Sequence, residues 1–238
     1  MDLAFDGRHV VVTGGAGALG SGVVSLLVQR GATVDVPDLR QIDPERFTLA
    51  RHERVHVASG VDLTSQSDVE SFYAGLDADG PLWASIHVAG GFAMGPIESS
   101  GAEDFSAMMR LNALSCYLCC REAVGRFRAG GGGGRIVNVA ARPALSPEQG
   151  AGMIAYTAGK AAVAAITRAL AAEVAPEGIL VNAVAPSIID TPANRAAMPK
   201  ADHSLWPTPA QIAETIAFLA SPGNEVTSGA VVPVYGRA

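Results

Sequence analysis

Short β-branched apolar runs alternate along this chain with longer amphipathic or alanine-rich segments. HVVVTGG (9–15) predicts a buried strand, and LGSGVVSLLVQRG after it a helix with an apolar face. TVDVPD (33–38), VHVASGVD (55–62) and LWASIHVAGG (82–91) predict three more strands. A long helical pattern, GAEDFSAMMRLNALSCYLCCREAVGRF, then leads through the glycine run Gly130–Gly134 into the strand RIVNVAA. The run reads as a flexible turn. A helix from about Met153 to Val174, the strand ILVNAVAP, a loop, the helix PAQIAETIAFLA and a last strand GAVVPVYG complete the order. Strands separated by helices call for a doubly wound parallel sheet with helices on both faces, a Rossmann-like α/β fold. No composition break divides residues 1–238, so one domain is expected, with a substrate-side loop at about 187–208.

Composition narrows the function classes. With 238 residues and 49% hydrophobic content the chain is long and apolar enough for a full core. No apolar run approaches the roughly 20 residues of a membrane span. The N-terminus MDLAFDGRHVVVTGG carries acid before base and no small-residue cleavage site, so no signal peptide is expected. A formal charge of −6 argues against nucleic acid as a partner. Cys116, Cys119 and Cys120 lie within five residues, a spacing that suggests metal ligation. No second Cys/His cluster accompanies them in sequence. They are read as buried helix packing, no metal is expected, and free thiols fit a reducing cytoplasm.

Two patterns carry chemistry. Gly15, Gly17 and Gly20 satisfy G-x-G-x-x-G between the first predicted strand and helix, where glycines let the backbone approach a pyrophosphate at the helix N-terminus. Asp38 ends the second strand 18 positions after Gly20, near the offset expected for a carboxylate on the adenosine ribose. A carboxylate there repels a 2′-phosphate, so NAD(H) is favoured; neighbouring Arg40 keeps NADP(H) as the alternative. Asp35 is the competing acid, but it lies inside the strand. Asp62, with the Leu63 amide beside it, suits the adenine amine; almost equally, the Asp-Leu-Thr-Ser segment it opens suits a helix N-cap. The second pattern is Tyr156 and Lys160, four apart on one face of a predicted helix. A nearby ammonium favours the phenolate and is expected to bring the phenol toward its working range.

Together with Asn112 in MMRLNALS and the segments VAGG, RIVNV and VNAVAP, these features resemble the short-chain dehydrogenase/reductase family, from about Val10 to Val234. The resemblance implies Tyr156 as general acid in reduction, Lys160 on the nicotinamide ribose, and Asn112 orienting a water or backbone group in the proton relay. It places the cofactor along Gly14, Gly15, Gly17, Ala18, Leu19 and Gly20, then Asp38, Asp62, Leu63, Ala89, Gly90 and Gly91, and finally Tyr156, Lys160, Pro186, Ile189 and Thr191. Asp190-Thr191-Pro192 is also a helix-start signal. It further implies a small-molecule substrate and a homodimer or homotetramer built on the long helices. The alanine-rich face AAVAAITRALAAEV suits either such an interface or the chain's own sheet.

The chain departs from the family pattern at several points. Ala141 stands where the family's substrate-binding serine falls, with Ser146 five residues later as the nearest hydroxyl considered for replacing it. Ala18 replaces a loop glycine, His87-Val88 the usual asparagine start of the fourth-strand motif, and Ser187 the glycine after Pro186. Alanine at the serine position is similar to the dihydropteridine reductase branch. GGAGALGS, VAGGF, GMIAYTAGKAAV and DTPANRAAMPKADHSLWPT, with Met198 and Trp206, resemble that branch's cofactor, catalytic and substrate segments. Unlike that branch, the chain keeps Asn112. Trp206 suits a platform for a flat heterocycle or equally a core position. The alternatives are a carbonyl/alcohol oxidoreductase and a non-catalytic dinucleotide-binding sensor or scaffold.

Overall fold

The computed structural model describes residues 3–76 and 80–238. Among these, seven strands form one sheet: β1 (His9–Thr13), β2 (Thr33–Asp38), β3 (Val55–Ser59), β4 (Leu82–His87), β5 (Gly134–Val139), β6 (Ile179–Pro186) and β7 (Val231–Val234). The order is β3-β2-β1-β4-β5-β6-β7 and every neighbouring pair is parallel. Sheet growth reverses between β1 and β4, which opens a crevice at the strands' carboxyl ends. The connecting helices are α1 (Ala18–Gln29), α2 (Gln66–Ala74), α3 (Ala102–Met108), α4 (Ser115–Ala129), α5 (Arg142–Leu145), α6 (Ile154–Val174), α7 (Pro192–Ala197) and α8 (Pro209–Ala220).

The strand period of two explains why so many strand residues are apolar. Val10 and Val12 join a core layer with α1 and α8, whereas Val11 joins the opposite layer with α2, α4 and α6. Each such fully buried side chain contributes roughly 1.5–3 kcal/mol. α8 begins with a capping box between Thr208 and Gln211 and with Pro209 at its first turn, a geometry written in its sequence. The glycine run works as a turn, with φ of +100°, +88° and +75° at Gly131, Gly132 and Gly133.

The long helix expected over 101–127 is not continuous α-helix. Met109–Leu114 forms a π-helical segment between α3 and α4, a local widening that sequence periodicity does not reveal. α2 was foreseen only as an alternative helix start, because its few apolar positions, Val69 and Tyr73 among the buried ones, are set in polar sequence. Its N-cap is Ser65, whose side chain accepts from the Asp68 amide. The helix start offered by Asp-Leu-Thr-Ser (62–65) is therefore realised, capped by Ser65 rather than by the Asp62 carboxylate. That carboxylate instead accepts from the Thr64 amide and hydroxyl, both at 2.8 Å.

Candidate active site

The β1–α1 turn is built for close backbone approach. Gly14 has φ +66°, and a Cβ there would lie 2.8 Å from the Ala89 nitrogen at the end of β4. At Gly20 a Cβ would stand 2.0 Å from the Gly14 carbonyl oxygen, so helix and turn touch only because this residue lacks a side chain. α1 starts at Ala18 without a side-chain cap and with no acid in its first turn. Its free N–H groups and positive dipole end suit an anion, which is the fit a dinucleotide pyrophosphate requires.

At β2, the structure separates the two aspartates. The Asp35 carboxylate pairs with buried His9 inside the sheet. Asp38, at the strand's carboxyl end, is half-buried and accepts a local bond from the Arg40 amide at 2.8 Å. Of the two acids, Asp38 is thus the one at the end of the strand where the crevice opens.

Three elements converge at the end of β4. A Cβ on Gly90 would lie 2.6 Å from Asn112 Oδ1 and 3.2 Å from Lys160 Nζ. Asn112, in the π segment, is buried and closed onto a peptide: its Nδ2 donates to the Gly91 and Met108 carbonyls at 3.0 Å, and its Oδ1 accepts from the Gly91 amide at 3.2 Å. The widened turn exposes the Met108 carbonyl to this side chain, a common use of π segments at functional sites.

Tyr156 and Lys160 lie on α6, with Nζ 6.0 Å from the phenol ring centroid. The ammonium is 5% exposed and donates to the Val139 carbonyl at 2.7 Å. The expected lowering of the phenol's pKa does not occur in the chain alone. Burial pushes Tyr156 up to about 12 and Lys160 down to about 8, with Cys116 weakly opposing the latter. At neutral pH Tyr156 is therefore a phenol, poised to give a proton. Phe92, not singled out from the sequence, packs edge-on against Tyr156 at 5.0 Å.

The Lys160 shift has a measurable consequence. Between about pH 8 and 10.5 the unfolded chain holds a proton that the folded chain has shed. Stability contributed by this site therefore rises with pH across that window and is lowest below pH 8. In cofactor-free denaturant titrations, wild-type protein is expected to gain stability relative to Lys160→Met between pH 7.5 and 10. A flat difference would refute the shift.

Ala141 follows β5 and is 5% exposed, so a methyl group occupies the serine position. Ser146 lies past the single turn of α5, where its backbone amide bonds to the Arg142 carbonyl. In the loop after β6 (which ends at Pro186), Ser187 donates to the Tyr235 carbonyl, and Thr191 caps α7 by accepting from the Asn194 amide at 3.2 Å. The helix-start reading of Asp190-Thr191-Pro192 is thus realised. Trp206 is only 7% exposed and lies against His203, ring centroids 4.6 Å apart. This is the core alternative, and Trp206 is not an open stacking platform. Met198 ends α7, half-buried, with its carbonyl accepting from His203 Nε2. The alanine-rich face of α6 buries Val163, Ala164 and Ala171 within the chain itself.

A cavity of about 380 Å³ adjoins this region, lined by Met94, Ile97, Phe105, Met108, Met153 and Ile154 among others. Sequence reading missed it because its walls come from two stretches far apart in the chain, 93–108 and 152–155.

The model of the family described as short chain dehydrogenase matches residues 8–202. The chain belongs to this family: it is an oxidoreductase with an NAD(P)-binding fold. It is 32% identical over 246 residues to the 3-beta-hydroxysteroid dehydrogenase of Comamonas testosteroni, covering 96% of this chain and 94% of that one. It is 35% identical to galactitol 2-dehydrogenase from Rhizobium johnstonii, again covering 96% and 94%. The structure of a short-chain type dehydrogenase/reductase from Mycobacterium ulcerans superposes with a TM-score of 0.88 at 25% identity, covering 98% of this chain and 90% of that one. Among the described residues no helix is long and apolar enough to cross a membrane.

Proposed function

We propose that this protein is an NADH-preferring reductase of a flat, electron-poor conjugated ring, for which a quinonoid dihydropterin is the reference acceptor. The observation that carries the reading is the buried Ala141 methyl beside an otherwise complete Tyr156, Lys160 and Asn112 set. A carbonyl acceptor gains from a second hydroxyl that polarises its oxygen. A quinonoid ring distributes incoming charge over its own nitrogens and needs a hydride and one proton.

Bound NADH supplies the hydride. The protein's residues do the rest. Gly14, Gly15, Gly17, Ala18, Leu19 and Gly20 cradle the pyrophosphate, Asp38 accepts from the adenosine ribose hydroxyls, and Asp62 with Leu63 meets the adenine. Ala89, Gly90, Gly91, Pro186, Ile189 and Thr191 border the nicotinamide. Lys160 holds the nicotinamide ribose and keeps positive charge near the phenol. Tyr156 gives its proton to the reduced ring, and Asn112 fixes the Gly91 peptide at the crevice edge. Ala141 and Met198 face the substrate.

A second reading, oxidoreduction of apolar alicyclic alcohols and ketones, is favoured by the methionine-rich cavity and by the steroid dehydrogenase relative. NADH oxidation with freshly generated quinonoid dihydropterin, run beside NADPH and a panel of cyclic ketones, separates the two. Turnover of the pterin with NADH supports the first; ketone turnover without pterin turnover replaces it with the second. Ala141→Ser is expected to raise ketone reduction by about 10²-fold, the scale of one oxyanion hydrogen bond, and to leave pterin reduction nearly unchanged.

The protein further acts as a homodimer or homotetramer in the cytoplasm. An exposed apolar strip of Phe105, Leu111, Leu114, Tyr117 and Ile154 supports the assembly, and three free buried cysteines support the compartment.

A further inference from the structure

The cysteines were read from sequence as helix packing because no second Cys/His cluster accompanies them in the chain. The fold supplies a histidine. His87, at the end of β4, and Cys116 and Cys120, one turn apart on α4, are all buried, and a ring nitrogen of His87 and the two Sγ atoms lie within 4.8 Å of one another. Cys120 Sγ is 3.6 Å from His87 Nδ1 and 3.6 Å from Asn138 Oδ1 on β5. In a tetrahedral site with metal–sulfur bonds near 2.3 Å and metal–nitrogen bonds near 2.0 Å, ligand atoms stand roughly 3.5–3.8 Å apart. The Cys120–His87 pair already has that spacing, and no other pair of the three stands more than 4.8 Å apart.

We propose that His87, Cys116 and Cys120 form a binding site for a zinc-class divalent cation, with Asn138 Oδ1 completing the coordination.

The surroundings are organised as a metal's outer shell requires. His87 Nε2 lies 2.9 Å from Ser85 Oγ, which lies 2.7 Å from the buried Tyr73 hydroxyl. The 2.8 Å contact to the Asn138 oxygen, which can only accept, puts the imidazole proton on Nδ1 as the structure stands; moved to Nε2, that proton is accepted by Ser85 and the Nδ1 lone pair is free to ligate. Asn138 Nδ2 donates to Thr167 Oγ1 at 2.9 Å, which fixes the amide so that Oδ1 faces the cluster. On binding, the Nδ1–H···Oδ1 bond now 2.8 Å long is given up, the imidazole stays neutral, and two thiols release their protons. Two thiolates and a divalent ion sum to zero charge. A monovalent soft ion would leave a net negative charge in the core, and magnesium or calcium would find too few oxygens.

The site ties β4 and β5 to α4 directly beneath the catalytic residues. Cys116 is one turn after Asn112, which holds Gly91, and the residue following Asn138 carries the carbonyl that anchors Lys160. The ion is structural, and its occupancy steadies the floor of the crevice.

Chelator-treated, fully reduced protein titrated with Co²⁺ tests this. One equivalent is expected to produce sulfur-to-cobalt charge-transfer absorption and the strong visible bands of tetrahedral cobalt, displaced by Zn²⁺. The signal is expected to vanish in Cys116→Ser and Cys120→Ser, to change in His87→Asn, and to persist in Cys119→Ser, whose sulfur lies toward Tyr73. Zinc at a hundredfold above its dissociation constant should raise Tm by about 5–10 °C. Because the serine variants sit in the core, native mass measurement of wild-type protein gives an independent test: the proposal expects one zinc less two protons. Failure to bind Co²⁺ and Zn²⁺ stoichiometrically, or equal loss of signal in Cys119→Ser, would overturn it.

Discussion

Tyr156→Phe is expected to lower kcat/KM by about 10²–10⁴-fold, the range for a positioned proton donor, while NADH binding stays within about twofold of wild type. The ring is retained, so the edge-on contact with Phe92 and the packing of α6 persist. What goes is the only hydroxyl on the Tyr156–Lys160 face of α6 that the proposed mechanism uses. Lys160 does not replace it, because its ammonium is engaged with the Val139 carbonyl. Single-turnover kinetics and cofactor fluorescence separate the two effects. A variant retaining a third of wild-type turnover would remove Tyr156 from the reaction, whereas NADH binding with no turnover even in the wild type would favour a dinucleotide-binding scaffold.

Gly20→Val should be nearly as damaging by a different route. Even a Cβ at this position collides with the Gly14 carbonyl at 2.0 Å, and a branched side chain worsens the clash. The β1–α1 turn must then open, moving the glycine cradle away from the N-terminus of α1. Expected are at least a tenfold loss of NADH affinity by titration and a stability loss in the 1–3 kcal/mol range of overpacked sites. Gly22→Ala, two positions on, meets Pro209 first, at 3.3 Å, and serves as the mild control.

The strands were legible because buried parallel strands read as continuous β-branched runs, and all seven formed where HVVVT, TVDVPD, VHVAS and their successors stand. The site was legible to the extent that its geometry is local. The i, i+4 relation of Tyr156 and Lys160 and the glycine turn are set by single elements. Properties created by packing were not legible. The phenol's high pKa depends on how deeply α6 is buried, and Trp206 lies in the core because His203 closes over it. Likewise, His87 meets Cys116 and Cys120 only because β4 runs beside α4, a proximity with no counterpart in sequence spacing.

The widened turn at Met109–Leu114 makes chain length at this point a constraint in itself. A π turn takes up its additional residue by widening, so the helices on either side keep nearly the phase of an uninterrupted α-helix. Deleting one residue here would let the backbone close into uniform helix, and the Met108 carbonyl would be taken by the backbone amide four residues on. Asn112 would then lose the carbonyl that now accepts from its Nδ2. The extra residue thus works as a spare, releasing one main-chain oxygen to hold a side chain in place.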